Sequence, residues 1–231
     1  MSNSFEKMFN PLGLRVPEKL CKKNLMKFGS RIECPDKLIL DGYTTPVENQ
    51  GDKPFCAAYS ASSFAESILW RKNGFRKEID PVPLYVHAKK IDGDPTGDGT
   101  FLECTLDALL EKKYFNRDVC KVKTFGGAMF GQGSGLPAVK NAIHRYGVCI
   151  AGFNITGEWF KPTNGVIKGD KSASQGGHAV TLVGYDRDGV LVLNSWGKGY
   201  AHNGFVYLTN KAFENQFMYG AVLTRCLDNL N

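Results

Sequence analysis

The sequence holds no apolar run approaching the roughly 20 residues that a helix needs to cross a bilayer. Its opening stretch, MSNSFEKMFNPLGLRVPEKL, lacks the apolar centre of a secretory signal, so a cytoplasmic chain is expected. No two of the seven cysteines stand three apart, which excludes a CxxC zinc or redox pair. Their odd number leaves at least one unpaired, and without an export signal mostly reduced thiols are expected. Repeats and low-complexity stretches are absent. Lys and Arg exceed Asp and Glu by 29 to 23, but the surplus is scattered. The densest cluster, Lys22, Lys23 and Lys27, is short, and phosphate binding needs a concentrated patch. Neither a nucleic acid nor a membrane is therefore expected as partner, and no metal or other cofactor is implied.

What remains is an ordinary globular composition, 42% hydrophobic and 23% charged over 231 residues. A chain of this length buries enough apolar surface to fold without disulfide staples. Residues 1–31 are polar and broken by Pro11, Gly13 and Pro17, so they read as an extension lying on a surface. In CAAYSASSFAESILWRKNG, the residues Ala57, Ala61, Phe64, Ala65, Ile68 and Leu69 recur at three and four, predicting an amphipathic helix that begins at Cys56 and stops at Asn73-Gly74. TFLECTLDALLEKKYF predicts a second helix with a Thr100–Glu103 capping box and a stripe of Leu102, Leu106, Leu109 and Leu110. LPAVKNAIHRYG predicts a third, with Pro137 in its first turn and Gly147 at its end. Beyond Gly147 the segments VCIAGFNI, HAVTLVGYD, GVLVLNSW and GFVYL read as strands. Helices first and strands second imply an α+β fold with a helical lobe and a β lobe.

The chemistry centres on Cys56. A helix N-terminus carries partial positive charge, which favours a thiolate. A lone cysteine in a first turn is nonetheless more often structural. His178 opens the strand GGHAVTLVGYD, and Asn194 closes the strand GVLVLNSW. If the two pair as a hairpin around the Asp188-Gly189 turn, centred on position 186, His178 stands opposite Asn194. The Asn carbonyl can then orient the imidazole and leave its other nitrogen for the cysteine. His87, His144 and His202 read as surface or helix-end residues.

These segments resemble the papain-like cysteine proteases, nearer to bacterial or viral members without a long propeptide. QGDKPFCAAYSA resembles the family's stretch with an oxyanion-hole Gln and the nucleophilic Cys, GGHAVTLVGYD its His stretch, LNSWGKGYAHNGFVYL its Asn stretch, and GDGTFL its Gly-rich substrate wall. The resemblance implies a two-lobe papain-like fold over residues 32–231, with a helical lobe at 41–115, a β-barrel-like lobe at 116–225 and the active site in the cleft between them. It also implies a monomer that acts on peptides or proteins. By resemblance Cys56 is the nucleophile, His178 its base and acid, Asn194 the group orienting His178, and Gln50 an oxyanion donor. Trp196 would shield the His178–Asn194 bond, and Gly97, Gly99 and Gly177 would present backbone to an extended substrate. A peptide ligase or processing enzyme on the same residues, or an idle binding protein on this scaffold, are the competing readings.

The sequence departs from the family at several points. Lys53-Pro54-Phe55 precede the nucleophile where the family has Cys-Gly-Ser/Ala, and Ala57 follows where it has an aromatic. The absent Cys at position 53 removes a disulfide of secreted members. The Cys56-to-His178 separation is shorter than the usual span of about 130–150 residues. Residues 1–31 either pack passively or occupy the cleft and inhibit; roughly 30 extended residues reach about 100 Å.

Overall fold

The computed structural model describes residues 12–21, 25, 26, 33–74, 76–116, 118, 120–127 and 135–225. The Lys22, Lys23 and Lys27 cluster lies outside them. Helix α1, Cys56–Asn73, is buried on nearly every side from Cys56 to Leu69 rather than along one stripe. Small side chains permit this. Ser62 and Ser67 turn their hydroxyls back onto the carbonyls of Tyr59 and Ser63, so no buried donor is stranded. Gly74, at φ 73°, ends the helix in the left-handed region that a side chain disfavours.

Helix α2, Pro81–Ile91, starts on an Asp80 side chain that accepts from the Val82 N–H at 2.9 Å, with proline at its first position. Helix α3, Leu102–Glu111, buries the expected leucines, but the expected capping box does not form. Phe101 is the N-cap residue, and the Thr100 hydroxyl donates instead to Asp92 at 2.7 Å. Helix α4, Leu136–Tyr146, ends at Gly147 as predicted. Helix α5, Asn210–Gln216, had no counterpart in the sequence reading; Thr209 caps it through the Ala212 N–H.

Eight strands form one sheet: β1 Leu38–Ile39, β2 Lys121–Gly126, β3 Cys149–Thr156, β4 Val166–Ile167, β5 Ser174–Tyr185, β6 Gly189–Leu193, β7 Phe205–Thr209 and β8 Phe217–Thr224. Their order is β2-β8-β3-β5-β6-β7-β4, with β1 added on β5, and all pairs are antiparallel except β4 with β7. The sheet is open, which corrects the barrel-like expectation. Its terminal strands β2 and β4 do not pair with each other, and the two residues of β4 are too few to close a cylinder. Phe153, Trp159, Phe213 and Phe217 pack against one another over it. Cys21, Cys34, Cys56, Cys104 and Cys149 are free, in keeping with mostly reduced thiols, and Cys120 is disulfide-bonded.

The β5–β6 hairpin forms in a shifted register. Tyr185 pairs with Val190 and Gly184 with Leu191; after a bulge Leu182 pairs with Val192 and Thr181 with Leu193. The centre lies beyond position 186, and Asn194 falls outside β6. Helix α1 packs on β5, where Ser60 and Thr181 are joined by a hydroxyl contact of 3.3 Å and a Thr181-to-Ser60-carbonyl bond of 2.9 Å. That seam places the N-terminal end of α1 beside His178.

Candidate active site

Cys56 opens α1 and is fully buried. The backbone N–H groups of Ala179, Gly13 and Ala57 lie close enough to its sulfur to favour the thiolate. Desolvation outweighs them and pushes the thiol up to about 11. Gln50 reaches the site from the preceding turn. Its backbone N–H donates to the Ser195 carbonyl at 2.9 Å, and its Oε1 accepts from the Ser195 hydroxyl at 2.6 Å. Its Nε2 donates to the Lys53 carbonyl at 2.8 Å. These bonds hold the amide plane rigidly and tie the Gln50 turn to the residue after Asn194.

His178 stands on β5, fully buried, with Nε2 2.8 Å from Asn194 Oδ1. That oxygen also accepts from the Ser195 backbone N–H at 2.8 Å, a group that can only donate. The atom is therefore an acceptor, Nε2 carries the proton, and Nδ1 keeps its lone pair. Nδ1 is buried without a hydrogen-bond partner among the described residues. The bulged hairpin thus brings His178 and Asn194 together by a route other than direct opposition. Burial pulls the imidazole down to about 4, only partly offset by Asn194. Burial thus works against the charged form of both groups.

Aromatic rings wall the imidazole. Trp196 lies 4.7 Å from it between centroids, and is itself stacked by Phe160 at 5.3 Å and edged by Tyr200 at 5.0 Å. Trp159 meets the imidazole edge-on at 6.0 Å. The sequence reading named Trp196 but not Phe160, Tyr200, Trp159 or Ser195.

The burial has a specific cause. Residues from Leu12 onward thread the cleft. The Thr100 N–H donates to Gly13 O at 2.9 Å, and the Arg15 N–H to Thr100 O at 3.0 Å, forming a parallel bridge. On the opposite wall, the Leu14 N–H donates to Gly177 O at 3.2 Å. Gly13 lies so close to Pro54 and Gly99 that a side chain added at 13 would collide with the Pro54 carbonyl. Leu14 is buried against Gly152 and Gly177, where a side chain added at 152 would strike it. Tyr219 of β8 stands beside Gly152, and its hydroxyl donates to the Arg15 carbonyl at 3.2 Å. Of the three glycines expected along a substrate, Gly99 and Gly177 line this segment. Gly97 does not: its N–H donates to Asp94 and its α-carbon packs on that carboxylate. The sequence gives no role to Leu14, Asp92 or Asp94, because residues scattered in a coil and a loop carry no periodic signal.

A cysteine at a buried helix start, an Asn-bonded histidine on the sheet and a glutamine from the preceding turn match the arrangement expected from the resemblance. The papain family cysteine protease model matches residues 110–221. Papaya proteinase 4 of Carica papaya is 28% identical over 182 residues, covering 71% of this chain and 52% of that protein. The chain thus spans about half the length of the curated relative it matches. Xylellain, a cysteine protease from Xylella fastidiosa, superposes with a TM-score of 0.71 at 15% identity, covering 93% of this chain and 96% of the other. Procathepsin B S9 from Trypanosoma congolense follows with a TM-score of 0.66 at 14% identity, covering 94% and 86%. Over these stretches the chain is similar to papain-like cysteine proteases, and its fold is theirs.

Proposed function

We propose that this chain is a cysteine endopeptidase held in check by its own N-terminal segment. One set of contacts supports the reading: the Ala179 and Gly13 backbone lies at the Cys56 sulfur, His178 is bonded to Asn194, Gln50 to Ser195, and the Gly13–Leu14 backbone is bonded to Thr100 and Gly177. Once the segment leaves, water and a substrate carbonyl reach the site. Proton transfer from Cys56 Sγ to His178 Nδ1 yields thiolate and imidazolium, and the helix end favours the anion. The thiolate attacks the scissile carbonyl carbon. Gln50 and the Cys56 backbone N–H then face the developing oxyanion, each donor worth about 3 kcal/mol in comparable sites. His178 protonates the leaving amine as the C–N bond breaks, leaving a thioester. It next takes a proton from water, whose oxygen attacks the thioester, and Cys56 is released as the carboxylic acid departs. Asn194 keeps the ring aimed throughout. In the covered state the reaction cannot begin, because thiol and imidazole are desolvated and neutral. The likeness to a procathepsin supports the covering role.

The test uses the full chain and its Gly13→Val and Cys56→Ala variants. Valine at 13 would collide with the Pro54 carbonyl and is expected to unseat the segment. Intact mass after brief thiol alkylation and hydrolysis of a peptide amide are measured together. The expected result is Cys56 labelling about 100-fold faster in G13V than in the full chain, with peptide cleavage that C56A abolishes. Fast, selective labelling of Cys56 in the unaltered chain overturns the covering role. Labelling without cleavage in G13V overturns the peptidase.

A further inference from the structure

Leu14 and Gly13 account for two of the three side-chain positions along the covered cleft; the third belongs to Arg15. Its guanidinium lies 3.2 Å from Asp94 Oδ2 and 3.6 Å from Asp92 Oδ2, and 4.7 Å above the Phe101 ring centroid. The carboxylates do not depend on Arg15 for their positions. Asp92 has a fully buried side chain that accepts from the Thr100 hydroxyl at 2.7 Å and from the Asp94 N–H at 2.8 Å, and pairs with Lys89 Nζ at 3.0 Å. Lys89 is itself buried and also donates to the Gly99 carbonyl at 2.9 Å. Asp94 Oδ1 accepts from the Gly97 N–H at 3.0 Å, leaving Oδ2 turned to the guanidinium. Two carboxylates face one ammonium here, so the lobe by itself carries a net negative charge above an aromatic face.

We propose that Asp92, Asp94 and Phe101 form a substrate subsite for a cationic side chain, arginine above all. It rests on the peptidase reading of the cleft and extends it to substrate class. Counting outward from Cys56, Gly13 lies at the sulfur, Leu14 fills the apolar pocket at Gly152 and Tyr219, and Arg15 is third. A peptide laid along the same walls, with an apolar residue in that pocket, delivers its next residue to the acidic pair. The preferred acyl portion therefore carries a basic residue third from the cut and an apolar one second. Arginine suits the subsite better than lysine, because a planar guanidinium can stack on Phe101 while spanning both carboxylates. Gly97 serves this subsite rather than the backbone wall: its missing side chain is what lets Asp94 fold into place.

The experiment uses the full-length Gly13→Val chain and fluorogenic amides acetyl-Xaa-Leu-Gly with Arg, Gln or Glu as Xaa. The expected order in kcat/KM is Arg over Gln by about fivefold, with Glu below Gln. The Arg preference shrinks at high salt, as it must for partly exposed charges. Asp94→Asn brings the Arg-to-Gln ratio close to one. Protection of Cys56 from alkylation by the same sequences as plain amides reads binding without turnover. Arg-selective protection without cleavage keeps the subsite and overturns the peptidase reading. Cleavage and protection that are both indifferent to Xaa overturn the subsite and leave the peptidase reading intact. The full-length Arg15→Gln chain, which keeps Gly13, supplies a second route: losing the guanidinium clasp raises the rate of Cys56 labelling about fivefold, and an unchanged rate counts against the subsite.

Discussion

Helix α1 passes two buried ionisable groupings that obey one physical term in different ways. At its start, burial beside the Leu12–Arg15 segment disfavours the charged forms of Cys56 and His178. Nearly three turns along, Glu66 is buried under a Thr45 hydroxyl and the Ile79 N–H, beside Glu48, which accepts from Ser62 at 3.0 Å. Together with Glu78 and Asp80 they line a cavity of about 490 Å³. Desolvation, with the charge of Glu66 behind it, pushes Glu48 up to about 7. Desolvation likewise raises Glu66. Both groupings pay for burial, but the first lies under an N-terminal segment bonded across to Thr100 and Gly177, whereas the second is walled by the fold's own loops and helices. Under the proposed function the first cost is removable and the second is a standing one.

The largest effect that sharpens this contrast concerns the reacting end. Gln50→Ala removes a donor without touching the cover, so in the G13V background kcat should fall about 10²- to 10³-fold with Cys56 labelling retained. Loss of labelling together with kcat would show that Gln50 holds the thiol rather than the oxyanion. A middle effect concerns the gate. His178 has a covered value of about 4 against the ordinary 6.5, so the uncovered state binds the proton more readily. Covering is therefore at full strength above about 6.5 and is lost as pH falls towards 4, the opening constant rising about tenfold per unit. Hydrogen exchange at the Leu14 and Arg15 amides, corrected for intrinsic rates, should follow that slope, since both N–H groups are bonded only while the segment is seated. A flat profile would detach the gate from His178. The smallest effect concerns the enclosed acids. Glu48 has a raised value, so its protonated form favours the fold; that advantage is complete below about 4.5 and lost as pH rises through about 7. Glu48→Gln should raise Tm by about 3 °C at pH 8 and by almost nothing at pH 4. An equal gain at both would point to packing instead of ionisation.

Much of this was legible before any coordinates. Periodicity located α1, α3 and α4, and glycine marked the ends of α1 and α4. The four residues of the candidate site stood in recognisable local stretches, since each role demands a particular side chain in a particular turn or strand. Other features were read wrongly or missed for identifiable reasons. Thr100 offered a capping hydroxyl, and Asp92, a loop residue made a neighbour by folding, took it. Counting evenly from a centre at 186 sets Asn194 opposite His178, whereas the hairpin pairs Tyr185 with Val190, so its register is displaced from the turn onward and Asn194 reaches the imidazole from beyond β6. Helix α5 has only seven residues, too few for a period to show.

The chain by itself determined the order of helices and strands and marked one thiol, one imidazole and two amides as candidates, because these depend on local pattern and side-chain type. Only the tertiary structure decided that the sheet stays open, that Gly13 and Leu14 close the site, and that Arg15 lies on two carboxylates. Those outcomes rest on contacts between residues far apart in sequence, and their energies come from desolvation and close approach, which a linear string of residues does not carry.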